Sequence, residues 1–157
     1  MDGVDGAFYV FLLSLVPTFE GRYAIVYGIG RGYPVGEMLI LAGTGVALLS
    51  FFLPMLLPLI DWVMLRLEGT FLDGFARFYL RYVERVRIKA HPYVERWGFI
   101  GLVIFVAVPL PGTGVWTGSL AAYIFGMERK KTAAALLIGG LLSMAITLLP
   151  SLGIRAI

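Results

Sequence analysis

The chain contains no cysteine and a single histidine, His91, among its 157 residues. That inventory supplies no disulfide framework, no thiolate metal site and no histidine-built metal centre, so no metal and no cofactor is expected. Charge is scarce as well: 15% of residues are Asp, Glu, Lys or Arg, against about 25% in ordinary globular domains. What fills the chain is apolar. Hydrophobic residues make up 59% and the mean hydropathy is +0.88, above the roughly 45–50% of globular proteins, and this points to a single membrane domain. The net charge of +3 comes from local basic clusters, so it speaks to topology and predicts no nucleic-acid partner. The first six residues carry Asp2 and Asp5 but no lysine or arginine. That is the reverse of a basic n-region, and no cleavable signal peptide is expected.

Two apolar runs, 35–60 and 132–154, exceed the roughly 20 residues that cross a ~30 Å hydrocarbon core. Pro54 and Pro58 predict a kink or an early end in the first. Two other runs are cut short, 7–16 by Pro17 and 98–108 by Pro109. As helices these reach only about 15–17 Å, half a membrane. Each is followed by a second short run, 20–32 and 112–126. The expected fold is therefore all-α and integral to the membrane, with transmembrane helices at 35–60 and 132–154 and re-entrant helical hairpins at 7–32 and 98–126. The two halves also match at an offset of 94 residues: Pro17 falls on Pro111, Ala24 on Gly118, Gly28 on Ala122 and Gly32 on Gly126.

Charge sets the expected orientation. Arg66, Arg77, Arg81, Arg85, Arg87, Lys89 and Arg96 precede the second hairpin, and Arg129, Lys130 and Lys131 follow it. A hairpin returns to its starting side, so these residues share one face, which the positive-inside rule makes cytoplasmic. Both chain ends then lie outside, and the two hairpins enter from opposite sides of the cell membrane as an inverted repeat. Residues 66–96 read as an amphipathic interfacial helix. Phe71, Phe75, Phe78, Tyr82 and Val86 follow helical spacing, Asp73, Arg77, Arg81, Glu84 and Arg85 lie opposite, and Trp62 and Trp97 flank the segment at belt positions. The competing reading is a solvated linker helix whose aromatic face packs inward. The small residues Ala135, Gly139, Ser143 and Thr147, four apart, could let helices approach closely. They predict either a homodimer or packing within one chain.

The densest cluster of helix breakers is Pro109-Leu110-Pro111-Gly112-Thr113-Gly114-Val115-Trp116-Thr117-Gly118. Broken backbone at membrane depth survives only where protein or a wet cavity satisfies it, and such places are usual transport sites. Gly112, Thr113 and Gly114 open a helix whose free N–H groups suit a phosphate or carboxylate, with Thr113 and Thr117 adding hydroxyls; the bland alternative is a tight turn. Glu20 and Arg22 follow the first break. An ionisable group in lipid is costly, so such residues face an interior or a cavity. Glu20 is the candidate proton carrier, and Arg22 the candidate clamp for an anionic head group. The competing reading is an ion pair that closes the fold. Glu37 reads as a helix N-terminal acid, Asp61 and Arg66 as interfacial residues, and His91, before Pro92, as a turn residue. Tyr23 and Tyr27 read as packing residues. No metal cluster, nucleophile–base pair or carboxylate pair suggests an enzyme.

Pro17-Thr18-Phe19-Glu20-Gly21-Arg22-Tyr23-Ala24-Ile25 resembles the P-x-x-E-x-R-x-A-I signature of the small multidrug export proteins, and residues 109–118 resemble that family's PLPGTGAWTG. The resemblance spans roughly residues 10–150. The family is in turn similar to the DedA/VTT superfamily, which implies opposed re-entrant helices. It also implies proton-dependent transport, in several members of polyprenyl-phosphate carriers or other phospholipids. The expected function is thus proton-coupled movement of an amphipathic anion, with membrane lipids and protons as partners. The alternatives are proton-coupled export of cationic drugs, with Glu20 binding the cation, and a non-transport assembly protein.

Overall fold

The computed structural model describes residues 3–17 and 19–155. Thr18 of the first motif, and the chain ends to which the charge pattern assigns an outside location, lie outside the described residues. Six helices and no strand are found among those described: α1 (Gly3–Leu15), α2 (Glu20–Gly30), α3 (Val35–Arg66), α4 (Asp73–Ala107), α5 (Val115–Ile124) and α6 (Arg129–Arg155).

Pro17 stands in the turn between α1 and α2, where its missing N–H costs no helical hydrogen bond. The two short helices run back along each other. Val10 lies against Gly28, and Tyr33 crowds Gly6 so closely that a Cβ there would be 1.8 Å from its hydroxyl oxygen. α2 ends in a Schellman closure: Gly32, at φ +82°, donates to the Ile29 carbonyl, and Tyr33 to that of Gly28. α5 ends in the same way, with Gly126 at φ +67° donating to Tyr123 and Met127 donating to Ala122. These paired bonds recur at the offset that runs from Gly32 to Gly126, which also separates the first residues of α3 and α6.

α3 and α6 are the two helices long and apolar enough to cross a membrane. Contrary to the sequence expectation, neither Pro54 nor Pro58 ends α3, which runs 32 residues to Arg66. Residue 66 therefore closes α3 and does not open the amphipathic segment. That segment begins at Asp73, after a turn in which Asp73 accepts from the Gly69 N–H at 3.1 Å. α4 runs through Pro92, so His91 is helical, paired one turn on with Glu95 and set edge-on to Phe125, rather than placed in a turn. Gly98 (φ +53°, ψ −121°) then breaks α4 into two arms. The bend is sharp enough that a Cβ on Gly101 would lie 1.8 Å from the Tyr93 carbonyl oxygen.

The aromatic row of α4 does not pack inward. Phe71, in the turn before the helix, is 94% exposed, Phe75 65% and Phe78 68%, while the buried face is Ala76, Val86, Ala90 and Val94. Val86 thus belongs to the packed stripe and not to the aromatic one. The core lies where α2 and α5 cross the long helices, each packed against both α3 and α6. Gly21 abuts Val46 and Met144, Gly118 abuts Val106 and Leu136, and Gly140 abuts Val46 and Val115. The small-residue stripe of α6 is used inside the chain: Ala135 and Ser143 are buried, and Gly139 sits against Val103 and Val106 of α4.

Candidate functional site

The two helix breaks meet through side chains. Glu20 is the first residue of α2 and sits at φ +49°, the one non-glycine residue with positive φ among those described. A side chain in that region costs about 1 kcal/mol or more and persists only where its surroundings fix it. What fixes Glu20 is α5. The carboxylate crosses to the start of that helix, where Oε2 accepts from the Val115 N–H at 3.0 Å and Oε1 from the Trp116 N–H at 3.1 Å. These are first-turn donors that the helix cannot satisfy itself, at the positive end of its dipole. Gly114 makes the approach possible: at φ +144°, a Cβ there would fall 2.2 Å from Glu20 Oε2.

Arg22 makes the complementary contact. Its guanidinium donates to the Thr113 carbonyl through Nη2 and lies 3.4 Å from both the Val108 carbonyl and Thr113 Oγ1 through Nη1. Nη2 also stands 4.0 Å from Glu20 Oε2, and the guanidinium lies 5.3 Å from the centre of the Tyr23 ring. Glu20 and Arg22 are only 4% and 3% exposed. Arg22 Nε is buried with no hydrogen-bond partner. Thr113 Oγ1 lies 2.6 Å from the Val108 carbonyl and 2.7 Å from that of Leu110, and accepts from the Leu110 N–H, so this hydroxyl folds the Pro109–Pro111 loop on itself. Lys89 Nζ donates to the Pro111 carbonyl at 2.5 Å, and Trp116 Nε1 donates to the Leu15 carbonyl at 3.1 Å. The second contact ties α5 to the end of α1.

The residues singled out in the sequence thus divide. Glu20, Arg22, Thr113 and Gly114 form one buried junction. Thr117 is buried one turn into α5, with its hydroxyl 3.4 Å from the Gly114 carbonyl. Gly112, Pro17, Pro109 and Pro111 lie on the exposed side of the breaks. The donors read as free for a bound anion, the opening N–H groups of α5, are taken by Glu20. Glu37 lies in the first turn of α3, and Arg66 stacks on Trp62 at 4.3 Å.

A second cluster escaped sequence reasoning. Asp61, near the end of α3, accepts from the Tyr79 hydroxyl on Oδ1 and from the Tyr123 hydroxyl on Oδ2, both at 2.9 Å. It clasps α3 to α4 and α5. Burial, and then the Asp61 carboxylate, hold the Tyr79 phenol above the ordinary tyrosine range, so it stays protonated and donating. The available signal was weak, a lone acid and two tyrosines far apart in sequence.

No curated protein and no solved structure matches this chain. A family described as "Putative small multi-drug export protein" matches residues 20–146, a span that holds Glu20, Arg22, the Pro109–Gly118 motif, the first candidate membrane helix and most of the second. The chain is a membrane protein and belongs to the small multi-drug export protein family.

Proposed function

We propose that the protein exports small amphipathic compounds across the membrane and that the Glu20–Arg22 junction is its gate rather than its binding site. One observation carries this reading. Both charged side chains are buried and committed to the opposite helix break, between two apolar spans. A cation held by Glu20 would have to displace the two α5 N–H groups, and an anion held by Arg22 would have to displace the loop carbonyls. In this reading α1–α2 and the second arm of α4 with α5 are re-entrant hairpins that enter from opposite sides, the basic segment faces the cytoplasm and the chain ends lie outside. The recurring cap bonds support such an inverted repeat, as does the packing of both α2 and α5 against the two long helices α3 and α6. Protonation of Glu20 would weaken its hold on the α5 N-terminus and so couple opening to a proton gradient.

Carriage of a lipid phosphate, the reading implied by the DedA resemblance, has one observation in its favour, the spare Nε–H of Arg22. Flux separates the readings. In proteoliposomes with an imposed pH gradient, the wild type should move cationic ethidium or anionic dansyl-undecanoate, and Glu20→Gln should lose the pH dependence. Movement of a fluorescent lipid phosphate, with neither soluble probe moved, would overturn export in favour of lipid carriage.

A further inference from the structure

A cavity of about 230 Å³ lies away from the junction, between α3, α5 and the start of α6, lined by Pro54, Pro58, Ser119, Tyr123, Arg129 and Thr132 among others. Ser119 is 1% exposed and its hydroxyl has no partner. A buried hydroxyl left unpaired is costly, and such a group in a cavity wall calls for a polar occupant. Pro54 and Pro58 on the facing wall have no N–H, so the Ser50 and Pro54 carbonyls one turn back receive no helical hydrogen bond from them.

The cation that lines the site is Arg129. Arg129 lines this cavity and also an adjoining apolar one of about 410 Å³, formed with Phe51, Met55 and Lys130. Among the described residues neither Arg129 nor Lys130 forms an ion pair. The nearby acids are engaged: Glu128 pairs with Lys131 at 3.7 Å, and both Asp61 oxygens accept tyrosine hydroxyls. A cation flanked by a polar pocket with a free hydroxyl and by an apolar slot matches a molecule with an acidic head and an apolar body.

We infer that this pair of cavities binds a small amphipathic acid, its carboxylate or sulfonate between Arg129 and Ser119 and its body along Phe51 and Met55. The inference rests on the export reading for what the ligand is for, and it selects the anionic class of compound. Binding itself is measured without transport. Purified protein in phosphatidylcholine nanodiscs is titrated with dansyl-undecanoate, following energy transfer from tryptophan, with the matching dansylated amine as comparison.

Saturable binding of the acid, at least tenfold tighter than the amine, is expected. Arg129→Gln and Ser119→Ala should each weaken it by roughly tenfold, as for a lost charge-assisted hydrogen bond. Arg87→Gln, an exposed site paired with Glu84, should leave it unchanged. Neither Arg129 nor Ser119 makes a hydrogen bond through its side chain, so both variants should melt with the wild type. Equal binding of acid and amine, or wild-type affinity in both variants, would overturn the assignment. So would lower melting temperatures that track the weaker binding, or loss of probe binding when phosphatidylglycerol replaces phosphatidylcholine, since lipid would then fill the site. If binding holds while proteoliposomes export neither probe, the export reading falls and the site stands.

Discussion

At the residue scale, Glu20 and Arg22 each hold the other helix break, so each removal leaves buried groups without partners. Glu20→Gln keeps an acceptor for one α5 N–H and should cost less than Glu20→Ala, which orphans two N–H groups and the Arg22 charge. We expect a loss of about 3–5 kcal/mol for Glu20→Ala and for Arg22→Met, and a combined variant less destabilised than the sum of the two. Thermal or denaturant unfolding of both singles and the double checks this; strict additivity would mean that the two side chains act independently. Gly114→Ala should be as harmful as either, because its Cβ would meet the Glu20 carboxylate at 2.2 Å. Much of the site was legible in sequence at this scale. A glutamate and an arginine in apolar sequence advertise burial, and glycines beside a helix start advertise close approach. What could not be read was that the carboxylate comes from the chain itself, because that contact spans 95 positions, from Glu20 to Val115. Asp61 was illegible for the same reason, since both its partners come from other helices.

At the element scale, the helix breaks at Pro17 and Pro109 and the two spans follow from proline, glycine and run length, whereas the bend at Gly98 shows only in the structure. Two further features did not follow. Pro54 and Pro58 read as a kink or an early end, yet α3 continues through both, because one face of that stretch, at Leu53 and Leu57, packs into the core and overrides local propensity. The aromatic spacing of α4 marks one face at Phe75, Phe78 and Tyr82 but wrongly adds Val86, and it says nothing about which face packs; Ala76, Val86, Ala90 and Val94 provide the inward one. With the aromatic row exposed beside Arg77, Arg81 and Arg85, this arm suits an anionic lipid surface. Replacing Phe75 and Phe78 by Ser should weaken binding of detergent-free protein fragments to phosphatidylglycerol vesicles, and should change the melting temperature of the whole protein little. The Asp61 clasp gives a second prediction. Tyr79 has a raised pKa, so its contribution to stability is fully present below the unfolded tyrosine value of about 10 and is lost as pH rises above it. A melting profile flat through neutral pH and falling at alkaline pH, with the fall reduced in Tyr79→Phe, is the expected result.

At the scale of the whole molecule, the stripe on α6 packs against α4, so Gly139→Leu should disrupt the fold itself, with its Cβ already within 2.8 Å of Val106. Loss of folded protein on size exclusion at every concentration is the expected outcome, and a shift from larger to smaller folded species would instead place the stripe in an interface. Any homodimer has to use another face. The most direct test of the gate uses the absence of cysteine from the chain. Trp116 donates to the Leu15 carbonyl across the junction, so Leu15→Cys with Trp116→Cys places two thiols on the two helix pairs. Export of ethidium and dansyl-undecanoate is measured before and after joining these thiols with a short bismaleimide. If the junction opens during transport, bridging should stop export while leaving the unbridged double variant active, whereas export at the unbridged rate through the locked junction would contradict the account.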